Sequence, residues 1–243
     1  MWFGYLWNGL VEALRLIVTG DPLLVEITLR TLQVSFYAIL LASIVGVPIG
    51  VFVGMREFRG KKLVKTIFAT LIGVPTVSLG LLLFLLLVRN GPFGYLGLLY
   101  TVQGISIGEA LLVIPLVVSF TTSAVESKDV RLRDLARTLG ASEVETSIVI
   151  VREALEPIIL AVVAAFNRAF AELGIAMMIG GNIDGYTRVL TTAISLQTNL
   201  GDIPLSIALS IVLMLVVFTL TVITRNIDDL VNVFRRRLNV QHL

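Results

Sequence analysis

Long apolar runs dominate this chain, and short polar links separate them. Five runs are long enough to cross a bilayer as helices, which takes roughly 20 apolar residues. They cover 29–53, 63–88, 105–125, 157–179 and 204–224. Pro48, Pro75 and Pro115 fall inside the first three. Proline removes a backbone donor and bends a helix, and lipid tolerates this only where neighbours satisfy the freed carbonyl. The pattern therefore predicts spans that pack on one another, some of them bent. Ahead of them lies segment 1–28. Trp2, Phe3, Tyr5 and Trp7 start it, and Leu6, Leu10, Leu14 and Ile17 form a helical stripe. Aromatics favour the membrane interface, and such a stripe fits a helix lying in that plane. A short helix packed against the bundle fits it equally. Gly20-Asp21-Pro22 ends this helix, and the segment lacks the basic start and cleavage site of a signal peptide.

Composition agrees. Of 243 residues, 56% are hydrophobic and 15% charged, against about 45–50% and about 25% in soluble domains. Mean hydropathy is +0.94. The fold class expected is an all-α membrane protein: five transmembrane helices, an N-terminal interfacial helix and a cytoplasmic helical link, forming one domain over 1–243. There is no cysteine, and the single histidine, His242, is next to the last residue. Thiolate catalysis and thiolate metal sites are excluded. No nucleophile–base pair is recognisable, so no catalytic residue, metal set or enzyme activity is expected, and no nucleic-acid partner.

The distribution of Lys and Arg orients the spans. The first link carries Arg56, Arg59, Lys61, Lys62 and Lys65, whereas the second carries Arg89 alone. The third carries Lys128, Arg131, Arg133, Arg137 and Arg152, and the fourth Arg188 alone. The tail, 225–243, carries Arg225, Arg235, Arg236 and Arg237. This alternation predicts a cell-membrane protein with its N-terminus outside and the first link, third link and tail in the cytoplasm.

The third link, 126–156, is charged and rich in helix formers. Gly140 interrupts it, so the prediction is helix, turn at Gly140-Ala141-Ser142, then helix. In it Asp134, Leu135 and Ala136 are followed by three residues, then Gly140, then nine residues, then aliphatic Ile150. That spacing resembles the E-A-A…G loop of import-type ABC-transporter permeases. The resemblance implies that Asp134, Ala136, Arg137, Gly140 and Ala141 form a coupling helix docking into a separate ATPase subunit. Ala136 and Gly140, four apart, share a helix face where small side chains permit close approach. ATP and Mg would sit on that partner. This chain binds no cofactor by this reading: the nearest phosphate-loop pattern, 54–61, has five residues between its glycines rather than four, and Lys62 stands where Ser or Thr is needed.

The fourth span contains Asn167, Arg168 and Glu172. Charges within a span are costly and mark pathways, and Arg168 and Glu172 are spaced to pair. A purely structural pair is the other reading. After the span come Gly180, Gly181 and Asn182, then Thr187 and Arg188 ahead of a hydroxyl-rich helical stretch. A glycine-rich turn before a helix start suits an anion; an ordinary outer loop suits the same residues. These eight residues are the candidates for the translocation path and gate.

The run GGNI followed by YTRVLTTAI is similar to permeases of tungstate and molybdate importers, closer to the tungstate branch. So are the N-terminal GDP and RNGPFGYLGLLYT after the second span. Glu109 stands where that branch leads one to expect a neutral polar residue. The resemblance implies a homodimer, two cytoplasmic ABC ATPase subunits, an extracytoplasmic oxyanion-binding protein, and ATP-driven import of an oxyanion, tungstate first, by alternating access. Molybdate or sulfate import is the alternative, followed by an ATPase-independent secondary transporter or channel.

Overall fold

The computed structural model describes residues 2–128 and 138–240, with side chains described for 7–128, 138–142 and 144–223. The regular structure among the described residues is all helix, with no strand. In chain order the helices are α1 (Trp2–Thr19), α2 (Pro22–Met55), α3 (Lys61–Leu71), α4 (Thr76–Leu87) and α5 (Val102–Glu126). Then come α6 (Glu143–Glu153), α7 (Leu155–Phe170), α8 (Gly174–Gly180), α9 (Leu190–Leu200) and α10 (Ile203–Val240).

Helices α2, α5 and the 203–223 part of α10 are each long and apolar enough to span a membrane. The other two expected spans are not continuous. The second is α3 plus α4, bent by 95°, and the fourth is α7 plus α8, bent by 58°. Local chemistry explains both breaks. Pro75 has no N–H to continue a helix and stands as the N-cap residue of α4. At the other break the carboxylate of Glu172 takes over the first N–H groups of α8.

Two boundaries differ from expectation. Asp21 Oδ1 accepts from the N–H groups of Leu23 and Leu24 at 3.0 and 3.1 Å, and Pro22 fills the first helical position. This cap starts α2 at Pro22, so the end of segment 1–28 belongs to the first span. At the other end, the backbone of α10 stays helical to Val240, taking most of the tail with it, because nothing between the span and the tail breaks a helix.

The core forms around α2 and α5. Ala38, Ala42, Val113 and Val117 are buried there together with Ala165, Ala169, Ile175 and Ile179. The helices approach along glycines. A Cβ on Gly46 would lie 2.9 Å from Val117 Cγ1, one on Gly50 2.6 Å from Thr121 Cβ, and one on Gly54 2.8 Å from Val125 Cβ. Each step of four along α2 meets a step of four along α5, so the two run parallel. A second cluster packs Ala13 of α1 against Leu24, Ile27, Ala208 and Leu209. The N-terminal helix thus packs on the bundle, leaving Trp7 and Val18 on its outer face exposed.

Candidate functional site

The two broken spans meet at their breaks. A Cβ on Gly174, the first residue of α8, would lie 2.8 Å from Thr76 Oγ1 and 2.9 Å from Val77 N, at the start of α4. Only glycine permits that approach. Interrupted helices at membrane depth are tolerated where protein or a polar cavity receives the freed backbone groups, and such half-helix ends line the binding sites of many transporters.

Glu172 organises this junction. It lies between α7 and α8 and is 3% exposed. Its Oε1 accepts from the N–H of Gly174 at 2.8 Å and of Ile175 at 3.3 Å. A carboxylate at the start of α8 satisfies donors that the helix leaves free. Oε2 takes the Nη1 of Arg168 at 2.7 Å, so the predicted pair is formed. The Arg168 side chain is 40% exposed against 2% for Glu172, so the cation presents the open face of the pair. Thr191 of α9 donates its hydroxyl to the Glu172 carbonyl at 2.6 Å. The N–H of Leu190 donates to Thr31 Oγ1 at 2.8 Å, tying the same helix start to α2.

Asn167 is turned elsewhere. Its amide donates to Thr221 Oγ1 of α10 at 3.0 Å, and its own oxygen is buried without a partner.

The loop from Gly181 to Val189 closes on itself. Gly181 has φ +68° and Asn182 φ +53°. The carbonyl of Ile183 accepts from the N–H groups of Tyr186, Thr187 and Arg188. The Thr187 hydroxyl donates to the Gly180 carbonyl and accepts from Ile183 N at 3.0 Å. Arg188 spends its guanidinium within the loop, on Asp184 Oδ1 at 2.7 Å and Asn182 Oδ1 at 3.3 Å. Arg30 of α2 reaches across to the Gly185 carbonyl at 2.8 Å. At the start of α9, Val189 N donates to Thr192 Oγ1 at 3.0 Å. The structure thus gathers Gly180, Gly181, Asn182, Thr187 and Arg188 into one strapped turn, while Arg168 and Glu172 pair at the break, at the other end of α8. The Arg188 cation and the N–H groups of Val189 and Leu190 are engaged by protein groups.

Sequence reasoning omitted Glu109 from the site. It is 2% exposed, and its Oε2 is buried without a hydrogen-bond partner. Its signal was present: a carboxylate inside an apolar span. Gly174, Thr31 and Thr191 were also missed. Their roles arise from contacts between helices distant in sequence, which periodicity does not encode.

The charged link sits at the end of the bundle that carries the basic residues. Gly140 has φ +86°, and a Cβ there would meet nothing within 4 Å. Ser142 then caps α6. Its Oγ accepts from Glu145 N at 3.3 Å, and Glu145 Oε2 accepts from Ser142 N at 2.8 Å. These bonds hold the Glu145 carboxyl below its usual range. At the far end of α6, Ile150 and Ala154 are buried with Ala124, Val125 and Ile158, against Val47, Val51 and Met55. An exposed turn is thereby mounted on a helix rooted between α2, α5 and α7. Leu139 at the turn is 79% exposed, an apolar side chain at the surface. Asp134, Ala136 and Arg137 lie outside the described residues; Gly140 and Ala141 are placed at the turn.

Known proteins with this arrangement are membrane permeases. The chain is 36% identical to the tungstate uptake system permease protein of Peptoclostridium acidaminophilum, over 93% of this chain and 99% of that one. It is 39% identical to a probable anion ABC transporter permease protein of Haloferax volcanii, over 80% and 86%. Among solved structures, the inward-facing MetNI methionine ABC transporter shares the fold, with TM-score 0.67, 16% identity, and coverage of 84% of this chain and 94% of that one. Residues 46–233 match the family model described as the binding-protein-dependent transport system inner membrane component, and the chain belongs to that family.

Proposed function

We propose that this chain is the membrane subunit of an ATP-driven importer of tungstate. The observation that carries the reading is its identity with a tungstate uptake permease across nearly the whole of both chains. Two local features support it. The exposed Gly140 turn offers a rigid contact for a motor subunit. The Arg168–Glu172 pair at the junction of two broken spans supplies a cationic edge where an anion would pass.

In this reading two copies of the chain surround one path. Two ATPase subunits hold ATP and Mg in the cytoplasm and grip the turn, and an oxyanion-binding protein delivers cargo from outside. The N-terminus is outside, and the basic end of the bundle faces the cytoplasm, as the excess of Lys and Arg in its links favours. Closure of the ATPases moves the turn. Through Ile150 and Ala154 that movement reaches α2, α5 and α7, and alternates access to the path. A ligand shifts such an equilibrium only by binding one state better than the other. The path itself should therefore hold the dianion weakly.

The test is uptake by liposomes containing the chain with its ATPase and binding protein. Tungstate uptake that requires internal ATP supports the reading. Uptake without ATP makes the chain a secondary transporter. Molybdate and sulfate are also tetrahedral dianions, and preference for either over tungstate reassigns the cargo.

A further inference from the structure

A cavity of about 770 Å³ opens where the end of α2, the start of α3 and the last turns of α5 come together. Val53, Phe58, Phe68 and Val118 give it apolar wall, and Lys61, Lys62 and Lys65 give it charge. None of the residues assigned to the path or the Gly140 turn lines it.

Two carboxylates hold the lysines in place without using them up. Lys61 Nζ lies 2.8 Å from Glu57 Oε1 and 3.0 Å from Glu126 Oε1, and Lys65 Nζ lies 2.6 Å from Glu126 Oε2. An ammonium has three donors. Lys61 therefore spends two and keeps one, and Lys65 spends one and keeps two. Lys62 is exposed and forms no ion pair among the described residues. Three cations against two carboxylates leave the cavity positive. The Glu57 side chain is 86% exposed, so solvent screens it.

The start of α3 adds further donors. Its N-cap is Gly60, with φ +95°, and no side chain caps the helix. The N–H of Lys61 goes to the Phe58 carbonyl at 3.2 Å, while those of Lys62 and Leu63 have no partner among the described residues. Uncapped N–H groups at a helix start, backed by the helix dipole, favour an anion. Gly60, Lys61 and Lys62 all line the cavity.

The rest of α3 indicates what carries the anion. No residue of this helix is buried, and Leu63 is 64% and Ile67 48% exposed, one turn apart on one face. The helix is set at 95° to α4. A cationic amphipathic helix turned across a membrane segment suits the boundary between headgroups and acyl chains, where anionic lipids attract lysines.

We propose that this cavity binds the phosphate group of an anionic phospholipid. The phosphate sits on Lys62, Lys65 and the open N–H groups of α3, and the lipid tail leaves along the apolar wall. Glu126, which braces two of the lysines, is the last residue of α5. The site thus places a lipid where the charged link departs. It requires a bilayer and is independent of the cargo.

The test is native mass spectrometry of the full chain, purified in neutral detergent, with added phosphatidylglycerol or phosphatidylcholine. Phosphatidylglycerol should bind at least about fivefold tighter. Lys62→Gln breaks no ion pair and should weaken phosphatidylglycerol binding about fivefold, with phosphatidylcholine unaffected. Arg59→Gln removes an equal charge that is exposed but outside the cavity, and should cost less than about twofold. Glu57→Gln removes a carboxylate and frees Lys61, so binding should tighten, which a damaged fold would not produce. Excess inorganic phosphate should not displace the lipid, because it cannot use the apolar wall. Equal affinity for the two lipids overturns the proposal, as does undiminished binding by Lys62→Gln. An equal loss for Lys62→Gln and Arg59→Gln overturns it in favour of diffuse surface charge. A Glu57→Gln variant that binds no tighter than wild type overturns it too. Displacement of the lipid by inorganic phosphate makes this a site for soluble anions and overturns the lipid assignment.

Discussion

The hydroxyl of Thr191 donates to the carbonyl of Glu172 at 2.6 Å. This one bond joins the start of α9 to the break between α7 and α8, where the backbone has left its helical pattern. Both groups are buried. Leaving a buried carbonyl unpaired costs about 1–3 kcal/mol.

Thr191→Val keeps the shape and removes the donor. The purified variant should unfold earlier by about 1–2 kcal/mol, and uptake should fall with it. Denaturant titration of wild type and variant side by side decides the matter. Equal midpoints would show that the bond carries nothing.

Gly50→Ala places a methyl 2.6 Å from Thr121 Cβ and 2.9 Å from the Val118 carbonyl oxygen. One of those neighbours is backbone, so the helices must separate, at about 1–3 kcal/mol. Gly9→Ala is the control: its methyl would sit at an ordinary 3.4 Å from Ile207 Cδ1. The yield of monodisperse protein after membrane extraction should drop for the first variant and hold for the second.

At Gly140 the prediction separates conformation from contact. Its φ of +86° strains any L-residue except, to a lesser degree, Asn or Asp. A Cβ there meets nothing within 4 Å among the described residues. Gly140→Arg should insert normally yet abolish uptake and substrate-stimulated ATP hydrolysis, because it fills the space an ATPase would occupy. Gly140→Asn should keep a substantial part of both. Full uptake by the Arg variant would remove the turn from the coupling path.

The Ser142–Glu145 capping box gives a pH dependence. The Glu145 carboxyl is held below its ordinary value by the Ser142 backbone N–H first and its hydroxyl second. A depressed carboxyl stabilises the fold above its unfolded value, about 4.3. That contribution is lost as the pH falls through the lower folded value. Amide protection at the start of α6, corrected for intrinsic exchange, should therefore fall in acid below about pH 4. Glu145→Gln caps without titrating and should show a flat profile. Parallel profiles for the two proteins would assign the acid sensitivity to other groups.

The solvent, the helical class and the number of apolar runs were legible in the residue order, because hydrophobic length and lysine–arginine placement act locally and report a bilayer directly. The chain pattern supplied more. It also located the Gly140 turn and the Arg168–Glu172 pair, each written in residues a few positions apart. Tertiary contact decided the rest. Whether an apolar run is one helix or two depends on what receives the freed backbone groups and what packs at the break: at the fourth run Glu172 and Thr191 engage them, and Gly174 leaves room for Thr76 and Val77 of the second. Glu109 stood out as a carboxylate in an apolar span, and only the packing of α5 decided that it is buried. The glycine-rich loop suited an anion turn and an ordinary outer loop equally; folding turned Arg188 onto Asp184 and Asn182, and brought Arg30 from another helix to strap it.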